Sequence, residues 1–106
     1  MKLLNSQELQ EKIDSGEKFI VDMYADWCGP CRMLSKVIDK VDKKLTDENH
    51  PVKIYKFNIE SDKNMSVNLG VRSIPALLAF DNGNNVQTKI GLVQENIIVE
   101  MADSIK

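Results

Sequence analysis

Two strand-like apolar runs, separated by a long amphipathic stretch, restrict the fold of this chain more than any other feature. Phe19 to Tyr24 is nearly all apolar, as in a strand that is buried on both faces. From about Cys31 to Leu45, apolar residues recur at helical spacing, and Val52 to Ile59 is the second strand-like run. Two strands joined through a helix form a right-handed parallel crossover, so we expect an α/β fold.

The remaining segments predict a mixed central β-sheet flanked by helices on both faces. They are, in order, a short strand from Lys2 to Leu4, a helix capped by Asn5 and ending at Ser15-Gly16, a short helix or turn from Met65 to Val71, a strand from Ile74 to Phe80, a turn from Asp81 to Asn85, a strand from Val86 to Ile90, and a closing helix through Ile97, Ile98, Met101 and Ile105. The last two strands form an antiparallel hairpin.

Size and charge narrow the possible functions. The chain has 106 residues, of which 42% are hydrophobic, so we expect residues 1–106 to form a single domain. A formal net charge of −2 with mixed signs gives no basic stripe for nucleic acid. No apolar run approaches the roughly 18 residues of a membrane span, and the N-terminus lacks the apolar segment of a signal peptide. We therefore expect a cytoplasmic protein with no membrane or nucleic-acid partner.

The only two cysteines, Cys28 and Cys31, lie in the segment WCGPCR. A structural disulfide over so short a loop would constrain little of the unfolded chain. A zinc site needs about four ligands, and the chain offers one histidine, His50, and no second cysteine pair. Two buried structural thiols are a further alternative, but Gly29-Pro30 indicates a surface turn. The third interpretation is a redox pair.

A redox pair agrees with the local pattern. Pro30 suits the first position of the predicted helix, where its missing N–H costs nothing. Cys28 then precedes the helix, where unpaired N–H groups and the helix dipole favour a thiolate. Cys31 lies one turn further on, close enough for a disulfide. We expect Cys28, the sulfur nearer the surface, to attack substrates and Cys31 to resolve the mixed disulfide. His50 is interpreted as a solvated loop residue.

At these residues the chain resembles the thioredoxin family. The segment FIVDMYADWCGPCR resembles the family's second strand and active site, and KFNIE the end of its central strand. VRSIPALLAF carries the family's Ile-Pro, and DNGNNVQTKIG resembles its last hairpin. The resemblance covers residues 3 to 105. It implies the thioredoxin fold and a general protein-disulfide reductase activity.

Two charged residues lie in the predicted strands. Burying the charged form of Asp22 in an apolar strand costs free energy unless the carboxyl group is paired or neutral. The alternative interpretation is an aspartate at the end of a strand that faces water. Burial would raise its pKa and suit it to accept the proton of Cys31. The resemblance implies that role, with contact through water. Lys56 taken alone is an exposed strand lysine, but the resemblance places it beside Asp22.

The resemblance also implies a substrate groove. Most X–Pro bonds are trans, but similarity to the family implies a cis Ile74–Pro75 bond packed against the cysteine pair, with the backbone of Ile74 free to pair with an extended substrate. Trp27 could be core, and Gly91 a simple turn glycine. The expected apolar patch comprises Trp27, Gly29, Pro30, Ile74, Gly91 and Leu92. Such a patch suits protein substrates.

Three functions compete at this point. The leading hypothesis is a thiol-disulfide oxidoreductase that reduces disulfide-containing proteins as a monomer, with no bound cofactor or metal. By resemblance, its electrons come from NADPH through a thioredoxin reductase. The second hypothesis is an oxidase or isomerase. By resemblance it is disfavoured, because Gly29-Pro30 lacks the histidine that the oxidising relatives carry between their cysteines. The third is a binding module that uses the apolar patch and not the thiols.

Overall fold

The computed structural model describes residues 1 to 106 as a five-stranded sheet with helices on both faces. Its elements are β1 (Lys2–Leu3), α1 (Ser6–Asp14), β2 (Phe19–Tyr24), α2 (Gly29–Asp47), β3 (Lys53–Asn58), a 3₁₀ turn (Ile59–Ser61), α3 (Lys63–Asn68), β4 (Ala76–Asp81), β5 (Asn84–Ile90) and α4 (Glu95–Ile105). None of the helices combines the length and apolar character needed to cross a bilayer.

The strand order is β1-β3-β2-β4-β5, which places β2 at the centre of the sheet. β1 and β2 pair in parallel with β3, whereas β2–β4 and β4–β5 are antiparallel. The prediction of a mixed sheet, with a parallel crossover first and a hairpin later, is confirmed. The central position of β2 explains why it is apolar on both faces.

Alternation along β2 divides the core into two layers. Ile20 faces α2 and α4, where it packs in a cluster with residues such as Leu34 and Ile98. Val21 faces the opposite side, in a cluster with Leu9 of α1 and others. Because side chains alternate along a strand, Asp22 lies on the same face as Ile20 and therefore under α2.

The helix ends follow the predicted local signals. Asn5 caps α1 by accepting the N–H of Glu8, whose carboxylate accepts the N–H of Asn5 in return. Ser15 is the C-terminal cap, and Gly16 follows in the left-handed region with φ +77°. Gly70 follows α3 in the same way, with φ +76°. These ends are encoded within a few residues, which explains why the sequence predicts them.

The hairpin differs from its prediction. The turn consists of Asn82 and Gly83, both with positive φ, instead of five residues from Asp81 to Asn85. β5 therefore begins at Asn84. The register shifts between Ala79, opposite Gln87, and Phe80, opposite Asn85, so that Val86 is the extra residue of a β-bulge.

The other strand boundaries shift by one or two residues. The predicted strand from Ile74 begins at Ala76, because Pro75 has no N–H to donate to a ladder. α2 is longer than the predicted range from Cys31 to Leu45, since it begins at Gly29 and ends at Asp47. Pro30 is consequently its second residue and not its first. The first helical N–H groups all lack partners within the helix, so this position also loses nothing.

The interpretation of His50 as a solvated loop residue is wrong. Its side chain is only 6% exposed. Its Nδ1 accepts the N–H of Val52 at 3.0 Å, so Nε2 carries the proton and donates to Asp103 Oδ1 at 2.9 Å. The ring thus connects the loop after α2 with α4. Sequence could not show this, because Asp103 lies 53 residues away.

Candidate active site

The two cysteines form a disulfide at the N-terminus of α2. Their Cα atoms are 5.2 Å apart, and Cys28 is the N-cap residue of the helix. Cys28 Sγ accepts the N–H of Cys31 at 3.2 Å. A sulfur in this position lies at the positive end of the helix dipole and accepts a direct hydrogen bond. Both interactions favour a thiolate once the disulfide is opened.

Both cysteines are nearly covered in the disulfide form. Cys28 is 6% exposed and Cys31 is 3% exposed, so Cys28 is the nearer to solvent, but only slightly. They form a small cluster with Ala25, against which Ile59 and Ile74 pack. Any difference in reactivity between the two sulfurs therefore depends more on their positions relative to the helix than on their exposure.

Asp22 is the buried acid of the site. It is 2% exposed, and its Oδ1 has no hydrogen-bond partner in the protein. Desolvation raises the pKa of Asp22 from 3.8 to about 7, and the positive charge of Lys56 partly opposes that rise. The alternative of a strand-end aspartate that faces water is wrong. A carboxyl with this pKa exists in both protonation states near neutral pH.

A cavity of about 130 Å³ joins Asp22 to the cysteine pair. Its lining residues are Asp22, Tyr24, Ala25, Asp26, Cys31, Arg32, Ser35 and Lys56. A cavity of this size, with charged and hydroxyl side chains in its wall, has room for several water molecules. Asp22 and Cys31 make no direct hydrogen bond, so a proton that passes between them requires such a bridge.

Lys56 lies beside Asp22, as the resemblance implied. The two residues are direct partners in the parallel ladder between β2 and β3, and both line the cavity. Lys56 is half-buried, and its Nζ lies 5.7 Å from the centre of the Tyr24 ring. The alternative of an exposed strand lysine is therefore wrong.

The Ile74–Pro75 peptide bond is cis, as the resemblance implied. Pro75 is buried, and its carbonyl oxygen accepts the N–H of Gly91 at 2.8 Å. Gly91 has φ +86°, a conformation that favours glycine. The hydrogen bond holds the Gly91 turn next to the proline.

Apolar side chains of the predicted patch are exposed. Trp27 is 66% exposed and Leu92 is 50% exposed, so Trp27 is not core. Sequence reasoning missed Ile90, directly before Gly91, and Met33, two residues after Cys31, which are also exposed. It also missed Tyr24, which lines the cavity. The signal for Ile90 was its position directly before Gly91.

A metal centre has no support in the side-chain arrangement. No group of three or more His, Cys, Asp or Glu side chains is placed to hold a metal ion. His50, the only histidine, is engaged by Val52 and Asp103. The zinc alternative for the cysteine pair therefore lacks its remaining ligands.

Comparison with known proteins identifies the family. The family model described as Thioredoxin matches residues 1–104. The chain belongs to the thioredoxin family. It is 39% identical over 98 residues to a thioredoxin of Rickettsia conorii, covering 92% of this chain and 90% of that protein. It is 35% identical to thioredoxin 1 of Synechococcus elongatus over 89% of this chain and 85% of that protein.

A solved structure of a mutant thioredoxin from Halobacterium salinarum has the same fold. The TM-score is 0.82 at 27% sequence identity, covering 98% of this chain and 88% of that one. The thioredoxin fold predicted from the sequence is therefore confirmed. With its two cysteines at disulfide distance, this thioredoxin-family chain is a thiol-disulfide oxidoreductase of the protein-disulfide reductase type.

Proposed function

We propose that Cys28 and Cys31 reduce protein disulfides in two steps with Asp22 as the proton acceptor. The observation that carries this assignment is the cavity shared by Cys31 and the buried, unpartnered carboxyl of Asp22. A structural aspartate in an apolar strand would be expected to have a hydrogen-bond partner. An acid that shares a water-sized cavity with a cysteine instead suits proton transfer.

The first step belongs to Cys28. Its thiolate attacks one sulfur of the substrate disulfide, forms a mixed disulfide and releases the other substrate sulfur as a thiolate, which takes up a proton from solvent. The N–H of Cys31 and the helix dipole stabilise the attacking thiolate. The N-cap position makes Cys28 the attacking sulfur, because Cys31 already lies within the helix.

The second step belongs to Cys31. Its thiol transfers a proton to the Asp22 carboxylate, and the resulting thiolate attacks Cys28 Sγ and expels the second substrate sulfur. The disulfide seen in the structure is the product. General bases work best when their pKa lies near the ambient pH, and the pKa of Asp22 is about 7. Lys56 keeps that pKa from rising further and so maintains a fraction of carboxylate.

Substrates are proposed to bind as extended protein segments. β4 begins at Ala76, so the backbone of Ile74 lies outside the sheet ladder and can pair with an added strand. Gly29 and Pro30 leave room for close approach, since a Cβ at Gly29 would meet nothing within 4 Å. Trp27 and Leu92 supply exposed apolar contacts for a protein partner.

The electrons are proposed to come from NADPH through a thioredoxin reductase, with transport of electrons from that enzyme to substrates as the cellular role. The family assignment supports a reductase partner of this kind. We further propose a cytoplasmic location, because a reducing compartment keeps such a dithiol ready to act. A monomer is proposed because both core layers are completed within one chain; light scattering of the purified protein tests this.

The reduction potential of the Cys28–Cys31 pair tests the direction of electron flow. We expect about −270 mV, the figure characteristic of thioredoxin itself, on equilibration with a dithiol buffer. A potential between about −180 and −120 mV, typical of isomerases and strong oxidants, would instead indicate disulfide formation or shuffling.

A further inference from the structure

Ser35 lines the cavity of Asp22 and Cys31 but takes no part in the preceding steps. It lies in α2 four residues after Cys31, so the two side chains share one face of the helix. It is half-buried and lines the same cavity as Asp22 and Cys31. A small polar side chain therefore lines the cavity that the resolving cysteine shares with the buried acid.

The hydroxyl of Ser35 is uncommitted. Serines in helices often donate to a carbonyl in the preceding turn, as Ser104 does to Met101 at 2.7 Å, but Ser35 makes no such bond. Asp22 Oδ1 also lacks a protein partner. Two unpaired polar groups thus face one cavity that has room for water.

The other polar groups around the cavity are less suited to relay a proton. Lys56 from β3 and Arg32 from α2 can only donate hydrogen bonds, and Arg32 already donates to the Asp26 carbonyl at 2.8 Å. The Asp26 carboxylate can only accept. A hydroxyl donates and accepts at the same time, which leaves Ser35 and the phenol of Tyr24, and only Ser35 shares a helix face with Cys31.

We propose that Ser35 is a positioning residue whose hydroxyl holds the water through which Cys31 passes its proton to Asp22. The inference rests on the proposed role of Asp22. The Cys31 S–H bond breaks, the bridging water accepts that proton and gives one of its own to the Asp22 carboxylate. The Cys31 thiolate then attacks Cys28 Sγ, and the Cys28–substrate S–S bond breaks with both electrons leaving on the substrate sulfur.

The experiment follows the resolving step directly. Reduced protein is mixed in a stopped-flow instrument with an aromatic disulfide that releases two coloured thiolates in turn, the first on attack by Cys28 and the second on resolution by Cys31. For Ser35→Ala we expect the second release to slow about 3- to 10-fold near neutral pH, as for the loss of one hydrogen bond. The first release should be unchanged.

Carbon-detected NMR titration of Asp22 supplies a readout that a packing defect would not move in this way. In Ser35→Ala the bridging water is no longer held in place to donate to the carboxylate, so the pKa of Asp22 should rise by about half a unit or more. Ser35→Thr, which keeps the hydroxyl, should restore both the rate and the titration. Ser66→Ala is the matched control, since the Ser66 hydroxyl likewise has no hydrogen-bond partner but lies in α3, outside the cavity.

Each outcome decides between the alternatives. If Asp22→Asn slows the second release and Ser35→Ala leaves it within twofold of the unmodified protein with an unchanged titration, the inference on Ser35 is overturned and the role of Asp22 stands. If Asp22→Asn leaves the second release unchanged, both are overturned. If Tyr24→Phe produces the slowing and Ser35→Ala does not, the relay belongs to Tyr24. Equal slowing by Ser66→Ala would show a general packing effect and also overturn the inference.

Discussion

Asp22 and Lys56 are partners in adjacent parallel strands and share a cavity with Cys31, yet they form no salt bridge. The buried carboxyl therefore remains without the pairing that would keep it fully ionised. Its desolvation outweighs the attraction of Lys56, which is why its pKa rises to about 7. Asp22 can therefore exchange a proton near neutral pH, but burying its charged form lowers the stability of the folded chain.

That cost predicts a pH-dependent stability. Because the pKa of Asp22 is higher in the folded chain than its ordinary 3.8, the folded state binds more protons between pH 3.8 and about 7, and the free energy of unfolding falls as pH rises through that range. The difference corresponds to about 4 kcal/mol as an upper limit. Asp22→Asn should remove this fall, so the variant gains stability relative to the unmodified oxidised protein at pH 8 but not at pH 4.

Urea unfolding at the two pH values measures the effect. Asp39→Asn is the matched control, since Asp39 is exposed on α2, and it should change the pH dependence by less than about 0.5 kcal/mol. An Asp22→Asn variant whose stability follows the same pH curve as the unmodified protein would show that Asp22 does not titrate as described.

Lys56 should shift the pKa of Asp22 without itself acting as the proton acceptor. Lys56→Met removes the positive charge that lowers the pKa of Asp22, so that pKa should rise further and the pH profile of Cys31 resolution should move to higher pH. NMR titration of the Asp22 carboxyl carbon gives the direction. Lys53→Met, an exposed lysine of the same strand, should leave the titration unchanged. A lower Asp22 pKa in Lys56→Met would contradict the assignment.

The two cysteines should behave differently when each is replaced. Cys31→Ser should accumulate a mixed disulfide with a protein substrate, because attack by Cys28 still occurs and resolution does not. Cys28→Ser should form no such species and lose reductase activity entirely. Mass spectrometry of the products under non-reducing conditions separates the two results.

The double replacement of Cys28 and Cys31 by serine separates a reductase from a binding module. If the protein works as a disulfide reductase, this variant loses its cellular function. Complementation of a strain that lacks its own thioredoxin measures that loss. Retention of function by the double variant would indicate that the apolar patch and not the dithiol is the working part.

The exposed indole of Trp27 should contribute to protein substrates more than to small ones. Trp27→Ala should raise the KM for a protein disulfide about 10-fold, equivalent to about 1.4 kcal/mol, because exposed aromatic side chains often dominate docking surfaces. The rate with a small aromatic disulfide should change much less.

Val86→Ala is the matched control for Trp27→Ala. Val86 is 48% exposed but lies four residues before Ile90 on β5, about 13 Å from the site end of that strand. Equal effects of the two substitutions on KM would show that general surface hydrophobicity and not the groove is responsible.

The hydrogen bonds of His50 to Val52 and Asp103 should stabilise the folded chain. His50→Ala leaves the buried N–H of Val52 without its acceptor, so the free energy of unfolding should fall by about 1–3 kcal/mol with reductase activity retained. Lys43→Ala, which removes an exposed pair with Asp47, is the control and should cost less than about 0.5 kcal/mol. Equal losses in urea unfolding would mean that His50 is not specifically engaged.

Features that depend on neighbouring residues in the chain were predictable from the sequence. The capping box at Asn5, the left-handed Gly16, the hydrophobic periodicity of α2 and the placement of Cys28 ahead of its helix all follow from local backbone and hydrogen-bonding rules. The chemistry of the dithiol belongs to this group, because three residues of separation at a helix N-terminus bring the two sulfurs together.

Only the tertiary structure decided which polar groups meet. Burial of Asp22 depends on its strand being central, its pKa on the register that places Lys56 opposite, and the fate of His50 on an aspartate in the last helix. The cavity that joins Ser35 to Asp22 is lined by residues of β2, α2 and β3, which only the folded chain brings together. Desolvation and long-range charge depend on packing between distant segments, which a local pattern does not contain.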